Sequence, residues 1–552
     1  MGLRNRAKRV AVAGVSMAMM MTVGLTACGS NSGPSGGGVT INVAGQADNL
    51  TQVFNPYLPV GSYDVMSGDK TWVYEPLVQT NPVDIGNDHP WLAEKWEWSD
   101  QNKKVTFHLR TNVKWTDGEK FTSKDVVFTY NLLTKYPALN TTGVVFKTVE
   151  APDENTVVFT FDASYEPYFF LLSNVPIVPE HTWSKVDDPT TYADENPVGT
   201  GPFMLDQFSP QAITMKKNPN YWQEGKPKID GLRFIAYKDN QAQTNALVQG
   251  DVDWGSTFIA NAEQTYLGKS DKNHYWHPTV GLDGLIPNLE KWPLSELSVR
   301  KAISLAVDRE QVAQSTNDVT ATSQIGLPMP AFESVIDPQF KGLNYVKDLT
   351  KAKQTLEADG WTMGPDGVYV KDGKPCSFTI TFPSAYTDIT ARAQVIIDNL
   401  KQVGIKAEIN GVAVSDINNL TSMGDFESTI GYPVAAPPNA YLYYDFTMNP
   451  SHYVPTGQAD PSYMNIERFQ NAAAEKAFAD YLVAGSDEER AKNLGILEKA
   501  WVEELPMITI FYWGYYGDWS TEKVTGFPDD SNPYFRPNAN PVTAINLVPV
   551  TK

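Results

Sequence analysis

The sequence predicts an α/β fold split into at least two lobes, and three observations carry that expectation. Segments alternating apolar and polar residues with period two are interspersed with segments of 3.6-residue periodicity. A helical stretch over 391–403 passes through Gly404 into the strand-like Ile405-Lys406-Ala407-Glu408-Ile409, the helix-to-strand step of an α/β layer. The body of the chain, about 510 residues, exceeds what one hydrophobic core usually supports. No repeat with a period of about 20 to 50 residues recurs, which argues against a solenoid or a propeller.

Taken in order, Val39 to Val43, Lys104 to Leu109 and Thr156 to Phe161 read as period-two strands. Ser298 to Val307, Lys351 to Asp359, Ala391 to Val403 and Ile466 to Ala484 show helical spacing with charged outer faces. Leu505 to Ile510 reads as a strand, and Phe511-Tyr512-Trp513-Gly514-Tyr515-Tyr516 then breaks the alternation and concentrates aromatic surface, the mark of a binding patch. The Gly199-Thr200-Gly201 segment fits either a tight backbone approach or a plain turn.

The N-terminus sets the compartment. Arg4, Arg6, Lys8 and Arg9 precede an apolar run from Val10 to Leu25, the pattern of a signal peptide. That run, about 16 residues, is short of the roughly 20 a spanning helix needs. It ends Leu25-Thr26-Ala27-Cys28-Gly29, which resembles the lipobox of bacterial lipoproteins. The resemblance implies removal of residues 1–27, diacylation of Cys28 and attachment to the outer face of the cytoplasmic membrane. Several acyl chains at about 0.8 kcal/mol per buried CH₂ hold stably where one chain is marginal. Ser30 to Gly38 completes a tether over 28–38, too rich in Gly and Ser to fold.

Cys376 is the one other cysteine, so a lipidated Cys28 leaves no intramolecular disulfide. Cys376 itself reads as a spare thiol, since reactivity needs an electropositive setting. The formal charge of −20 rises in magnitude to −24 once the four cations of residues 1–27 are removed. Such a charge repels nucleic acid and keeps the protein soluble.

Catalytic and metal signatures are missing. The chain holds no HExxH, no GxSxG and no GxxxxGK[ST], and its six His show no ligand spacing. Asp251 to Gly255 opens like a calcium loop, but Ala262 stands where the twelfth-position Glu belongs. The expectation is no enzyme, no metal and no cofactor. A secreted carbohydrate-active hydrolase stays as the alternative, because a carboxylate pair brought together by folding is invisible in sequence.

A series of segments resembles the solute-binding proteins of dipeptide/oligopeptide-type ABC importers, family 5. They are Tyr74-Glu75-Pro76-Leu77-Val78, Trp91 to Glu97, Thr106 to Arg110, Val113 to Gly118, Asp125 to Tyr130, Pro176 to His181, Asn196 to Phe203, Asn218 to Trp222, Gly250 to Asp253 and Val299 to Arg309. The resemblance implies a two-lobed periplasmic-binding-protein-like fold with an inserted α/β subdomain and a hinge that closes over the solute. It places a first lobe at 39–70, 198–290 and 507–552, the insert at 71–197 and the second lobe at 291–506. It also implies a monomer that hands its ligand to ABC importer permease subunits.

Peptide-binding members carry an Asp-Pro step whose Asp pairs with the peptide ammonium. Here Pro437-Pro438 stands at that step, with Asp445 as a stand-in if the alignment shifts. The loop from Gly431 to Asp445 instead resembles members that take oligosaccharides, and the chain is aromatic, with 14 Trp, 26 Tyr and 24 Phe to stack on sugar faces. Oligopeptide and oligosaccharide both stay open. The candidate ligand-binding residues are Asn55 and Tyr57 after the first strand, Trp254, Asn288, Tyr432, Tyr441 and Tyr443 in the second-lobe loop, and Trp513.

Overall fold

The computed structural model describes residues 38–47, 50–58, 66, 69–328, 331–431, 437–460 and 462–551. Cys28, its tether and Tyr432 lie outside the described residues. Two sheets organise the body, which is one compact unit over residues 39–552. In the first, seven strands follow the order Asn273–Trp276, Gly517–Ser520, Trp254–Gly255, Thr40–Gln46, Gly231–Tyr237, Ala212–Lys217 and Phe203–Ser209. Thr40–Gln46 runs parallel to both its neighbours. In the second, six strands follow the order Val319–Thr320, Ile508–Gly514, Thr279–Pro287, Ser428–Gly431, Ser377–Pro383 and Lys406–Val412. A four-stranded antiparallel sheet of Ala93–Ser99, Lys104–Leu109, Thr156–Thr160 and Thr148–Asp153 forms the inserted subdomain.

Local rules account for the elements the periodicity marked. Helix Ser123–Lys135 begins with a capping box, in which Thr122 accepts from the Lys124 amide and Asp125 accepts from the Thr122 amide. Helix Thr387–Lys401 is followed by Gly404 at φ 73°, after which Lys406–Val412 pairs in parallel with Ser377–Pro383. The stretch expected as one helix from Ile466 is a loop up to the Asn471 cap, and helix Ala472–Val483 starts only there. Left-handed Asn465 and Arg468 explain the late start.

Close backbone contact decides the role of Gly199 and Gly201. A Cβ on either would collide with the carbonyl oxygens of Trp72 and Val73, and the Gly201 amide donates to Val73 O at 2.9 Å. Nearby, Glu75 is fully buried and accepts from Trp91 Nε1 (2.7 Å), Tyr221 Oη (2.9 Å) and Trp222 Nε1 (3.1 Å). Burial outweighs these donors and pushes its carboxyl up to about 7.

The chain crosses between the two large sheets at His277-Pro278 and again at Tyr515-Tyr516. Ladder pairing therefore puts Thr279–Pro287 and Ile508–Gly514 in the second sheet, whereas the borders drawn at 290 and 506 left them with the first lobe. Pairing partners far apart in sequence set that boundary. The strand Ile508–Gly514 also continues through the aromatic run, and Phe511 and Tyr512 are buried rather than displayed.

A charge network packs against the crossings. Arg392 contacts Asp318 (2.7 Å), Asp388 (3.2 Å) and Asp283 (3.9 Å), donates to Tyr516 Oη and Thr316 Oγ1 at 3.0 and 3.1 Å, and lies over the Phe511 ring. His277 stacks on Tyr516 at 4.2 Å, and Asn240 of the first lobe donates to Asp388 of the second at 3.4 Å. Burial pushes the Asp283 carboxyl up to about 7 against the pull of Arg392. An Arg392→Leu variant leaves three buried carboxylates without their counter-charge and is expected to cost about 3–5 kcal/mol in urea unfolding; a cost under about 1 kcal/mol would show that the network does not carry the hinge.

Glu467 gives a pH signature. It is fully buried with neither carboxylate oxygen hydrogen-bonded, and burial pushes its pKa up to about 8. Its folded pKa lies above the unfolded one, so the folded state keeps a proton the unfolded chain releases and stability is lost as pH rises through that window. The Tm of Glu467→Gln is expected to gain on wild type between about pH 5 and about pH 8. A difference that stays flat across that range refutes the assignment.

Candidate functional site

The subdomain and second lobe meet at the turn Glu166–Tyr168. Tyr168 Oη lies 2.8 Å from Tyr441 Oη and donates to Asp445 Oδ1 at 3.2 Å. Asn439 reaches back to Pro167 O at 2.9 Å while its Oδ1 caps helix Ala440–Met448 by accepting from the Leu442 amide. Asp445 further accepts from Asn449 at 2.7 Å and sits 3.1 Å from His452 Nε2. Burial opposes a charge on His452, yet the Asp445 carboxylate raises its pKa above the ordinary value.

On the first-lobe side a cavity of about 260 Å³ opens between the loop at 56–57, the turn Lys70–Trp72 and the subdomain residues Leu133, Leu139, Thr141, Thr142 and Asn174. Asp69 caps that turn by accepting from the Thr71 amide at 2.8 Å and forms an ion pair with Arg536. The Arg536 guanidinium stacks 5.3 Å from the Tyr515 ring, which places the cavity beside a crossing. Trp513, half-buried, meets Tyr515 edge-on at 4.9 Å. A smaller space at the other crossing is bounded by Tyr275, His277, Thr316 and Asn317.

The sequence-derived candidates divide by location. Asn55 is buried and donates to Pro189 O and Tyr192 O while its Oδ1 accepts from the Tyr57 amide, so it braces a loop. Tyr57 donates to Pro176 O, packs on Trp183 and lines the cavity. Trp254 is a core residue, its Nε1 on Pro537 O and its ring against Phe527. Asn288 is a buried loop brace that donates to Gly424 O and accepts from the Glu290 amide. Tyr441 joins the subdomain contact, and Tyr443 is buried with its hydroxyl on Val280 O and its ring on Phe332. These placements put Tyr57 at the cavity and Trp513 near it; Asn55, Trp254, Asn288 and Tyr443 have their polar atoms engaged by the backbone.

Asp69, Arg536, Tyr168 and Arg392 escaped the sequence reading. Arg536 follows Tyr534-Phe535 in a stretch rich in Pro and Asn, where no periodicity speaks, and its partner Asp69 lies 467 positions away. Cys376 is buried, and burial pushes its thiol up to about 12, away from reactivity. Among the described residues no cluster of His, Cys, Asp and Glu is arranged to hold a metal ion, and no helix is long and apolar enough to cross a membrane.

The family model for bacterial extracellular solute-binding proteins, family 5, matches residues 88–453. Protein XP55 of Streptomyces lividans is 27% identical over 420 residues, 74% of each chain. The dipeptide-binding protein DppE of Bacillus subtilis is 25% identical over 372 residues, 62% of this chain and 68% of that one. Among solved structures, the mannohexaose-bound periplasmic oligopeptide-binding protein of a Thermotoga maritima ABC transporter superposes with a TM-score of 0.82 at 24% identity, covering 93% of this chain and 99% of the other. Bacillus subtilis AppA in complex with a nonapeptide gives 0.75 at 21% identity, covering 93% and 99%. With two sheets joined by two crossings, an inserted subdomain and a family match across residues 88–453, about two thirds of its length, this chain belongs to the family 5 bacterial extracellular solute-binding proteins.

Proposed function

We propose that the protein is a lipid-anchored binding component of an ABC importer, that it closes its hinge over an oligosaccharide and passes it to the permease, and that it does not turn the ligand over. The observation that carries the ligand reading is the state of Asp445. It is fully buried and engaged by Tyr168, Asn449 and His452, so it offers no free carboxylate to a peptide ammonium, and Pro437-Pro438 stands where the resemblance puts an Asp. Aromatic residues at the crossing, Trp513 and Tyr515, supply ring surface suited to a sugar face.

Oligopeptide is the second reading, favoured by relatives with peptide-binding names such as DppE and by the nonapeptide in AppA. The anchor reading rests on Cys28 and its flanking sequence alone.

A thermal-shift screen of di- to pentapeptides against neutral and acidic oligosaccharides separates the readings, because a ligand at 100 times its Kd adds about 2.7 kcal/mol. The expected outcome is a rise in Tm with saccharides and none with peptides; the reverse removes the saccharide reading. Hydrolysis of a bound oligosaccharide by the purified protein, lost on substituting one Asp or Glu, would instead establish the hydrolase. Cys28→Ala is expected to move the protein from the membrane fraction to the soluble fraction, and retention at the membrane would refute the lipid anchor.

A further inference from the structure

One short segment of the subdomain, 165–172, divides its side chains between two apolar cores. Tyr165, Phe169 and Leu172 pack in the core that the subdomain shares with the first lobe, where Tyr165 stacks on Phe161 at 4.2 Å and Phe169 on Phe107 at 6.0 Å. Tyr168, Phe170 and Leu171 pack instead in the second-lobe core, with Ile286, Phe446 and Phe478. Leu171 is only 7% exposed there. Polar groups join at the same place. Tyr168 meets the Tyr441 ring edge-on at 5.4 Å, and because its single hydroxyl proton goes to Asp445, its oxygen accepts from Tyr441. Asn439 adds its bond to Pro167 O, and a Cβ on Gly143 would stand 3.5 Å from Met464 Cε, so the 140–144 turn touches the second lobe as well.

We propose that segment 165–172 is a latch, which docks the subdomain, and with it the first lobe, into the second lobe, holds the two lobes closed on its own and withdraws when the cleft opens. This goes beyond the ligand reading, because protein groups alone make the contact whichever solute the cleft takes. It is also a tie of side chains, separate from the backbone crossings at 277–278 and 515–516. A contact made only in the closed arrangement shifts the open–closed balance by its own free energy. Its two parts act differently on release. Asp445 keeps Asn449 and His452, both from its own lobe, so water can replace Tyr168 at modest cost. Phe170 and Leu171 would enter water with nothing to replace their packing, and they supply the closing force.

Small-angle X-ray scattering and amide hydrogen exchange on the purified protein, with no solute added, test the latch. Tyr168→Phe keeps the ring and removes the hydroxyl's bonds, Tyr441→Phe does the same from the second-lobe side, and Leu171→Ala removes the apolar anchor. Each variant is expected to have a larger radius of gyration than wild type. Exchange in 166–174 and 440–448 should quicken by about fivefold or more, the equivalent of one lost hydrogen bond. The subdomain strands Lys104–Leu109 and Thr156–Thr160 should exchange at the wild-type rate, which separates release of the latch from unfolding. Should Leu171→Ala unfold the subdomain, the two hydroxyl variants decide the case. A radius of gyration in Tyr168→Phe and Tyr441→Phe equal to that of wild type, or exchange that rises equally in those strands, overturns the latch.

Discussion

Two short chain crossings, at 277–278 and 515–516, are the constraint on which the molecule turns. They join the seven-stranded sheet to the six-stranded one, and they leave the central, paired strands Thr279–Pro287 and Ile508–Gly514 of the second sheet side by side. Those strands are hydrogen-bonded to each other, so only the few residues outside the ladder link one sheet to the other. His277 and Tyr516 sit in those residues and stack together, so the hinge carries aromatic packing as well as backbone. Arg392 then ties that stack to three aspartates of the second lobe.

Buried charge is used the same way in the first lobe and the subdomain. Glu75 gathers Trp91, Tyr221 and Trp222, three side chains from segments far apart in sequence, around one carboxylate. Gly199 and Gly201 press the 199–201 segment onto Trp72 and Val73. Together these contacts fix the turn Lys70–Trp72, and with it one rim of the cavity that Arg536 completes from the C-terminal segment. An unpaired buried carboxylate is costly, so such groups survive where several donors converge. Glu467 departs from that pattern, and its raised pKa expresses the departure.

Buried charges elsewhere in this fold are matched by partners. Asp445 is closed off by Tyr168, Asn449 and His452, and Asp69 is paired with Arg536. In a protein of net charge −20, the cavity wall holds one such local pairing, Asp69 with Arg536.

Sequence by itself determined the α/β class, the strands at 104–109 and 156–160, the helix-to-strand step through Gly404 and the family, because these rest on periodicity, local backbone preference and motifs in continuous blocks. Tertiary structure alone decided which sheet each strand enters, since strand pairing joins residues more than 200 positions apart, as in Leu285 with Ile508. It alone separated Trp254, Asn288 and Asn55, which brace the fold, from residues that border the cavity. It alone brought Asp69 to Arg536 and Arg392 to Tyr516. Burial and ion pairing depend on what the folded chain places within a few ångströms, and no local pattern encodes a neighbour contributed from the far end of the chain.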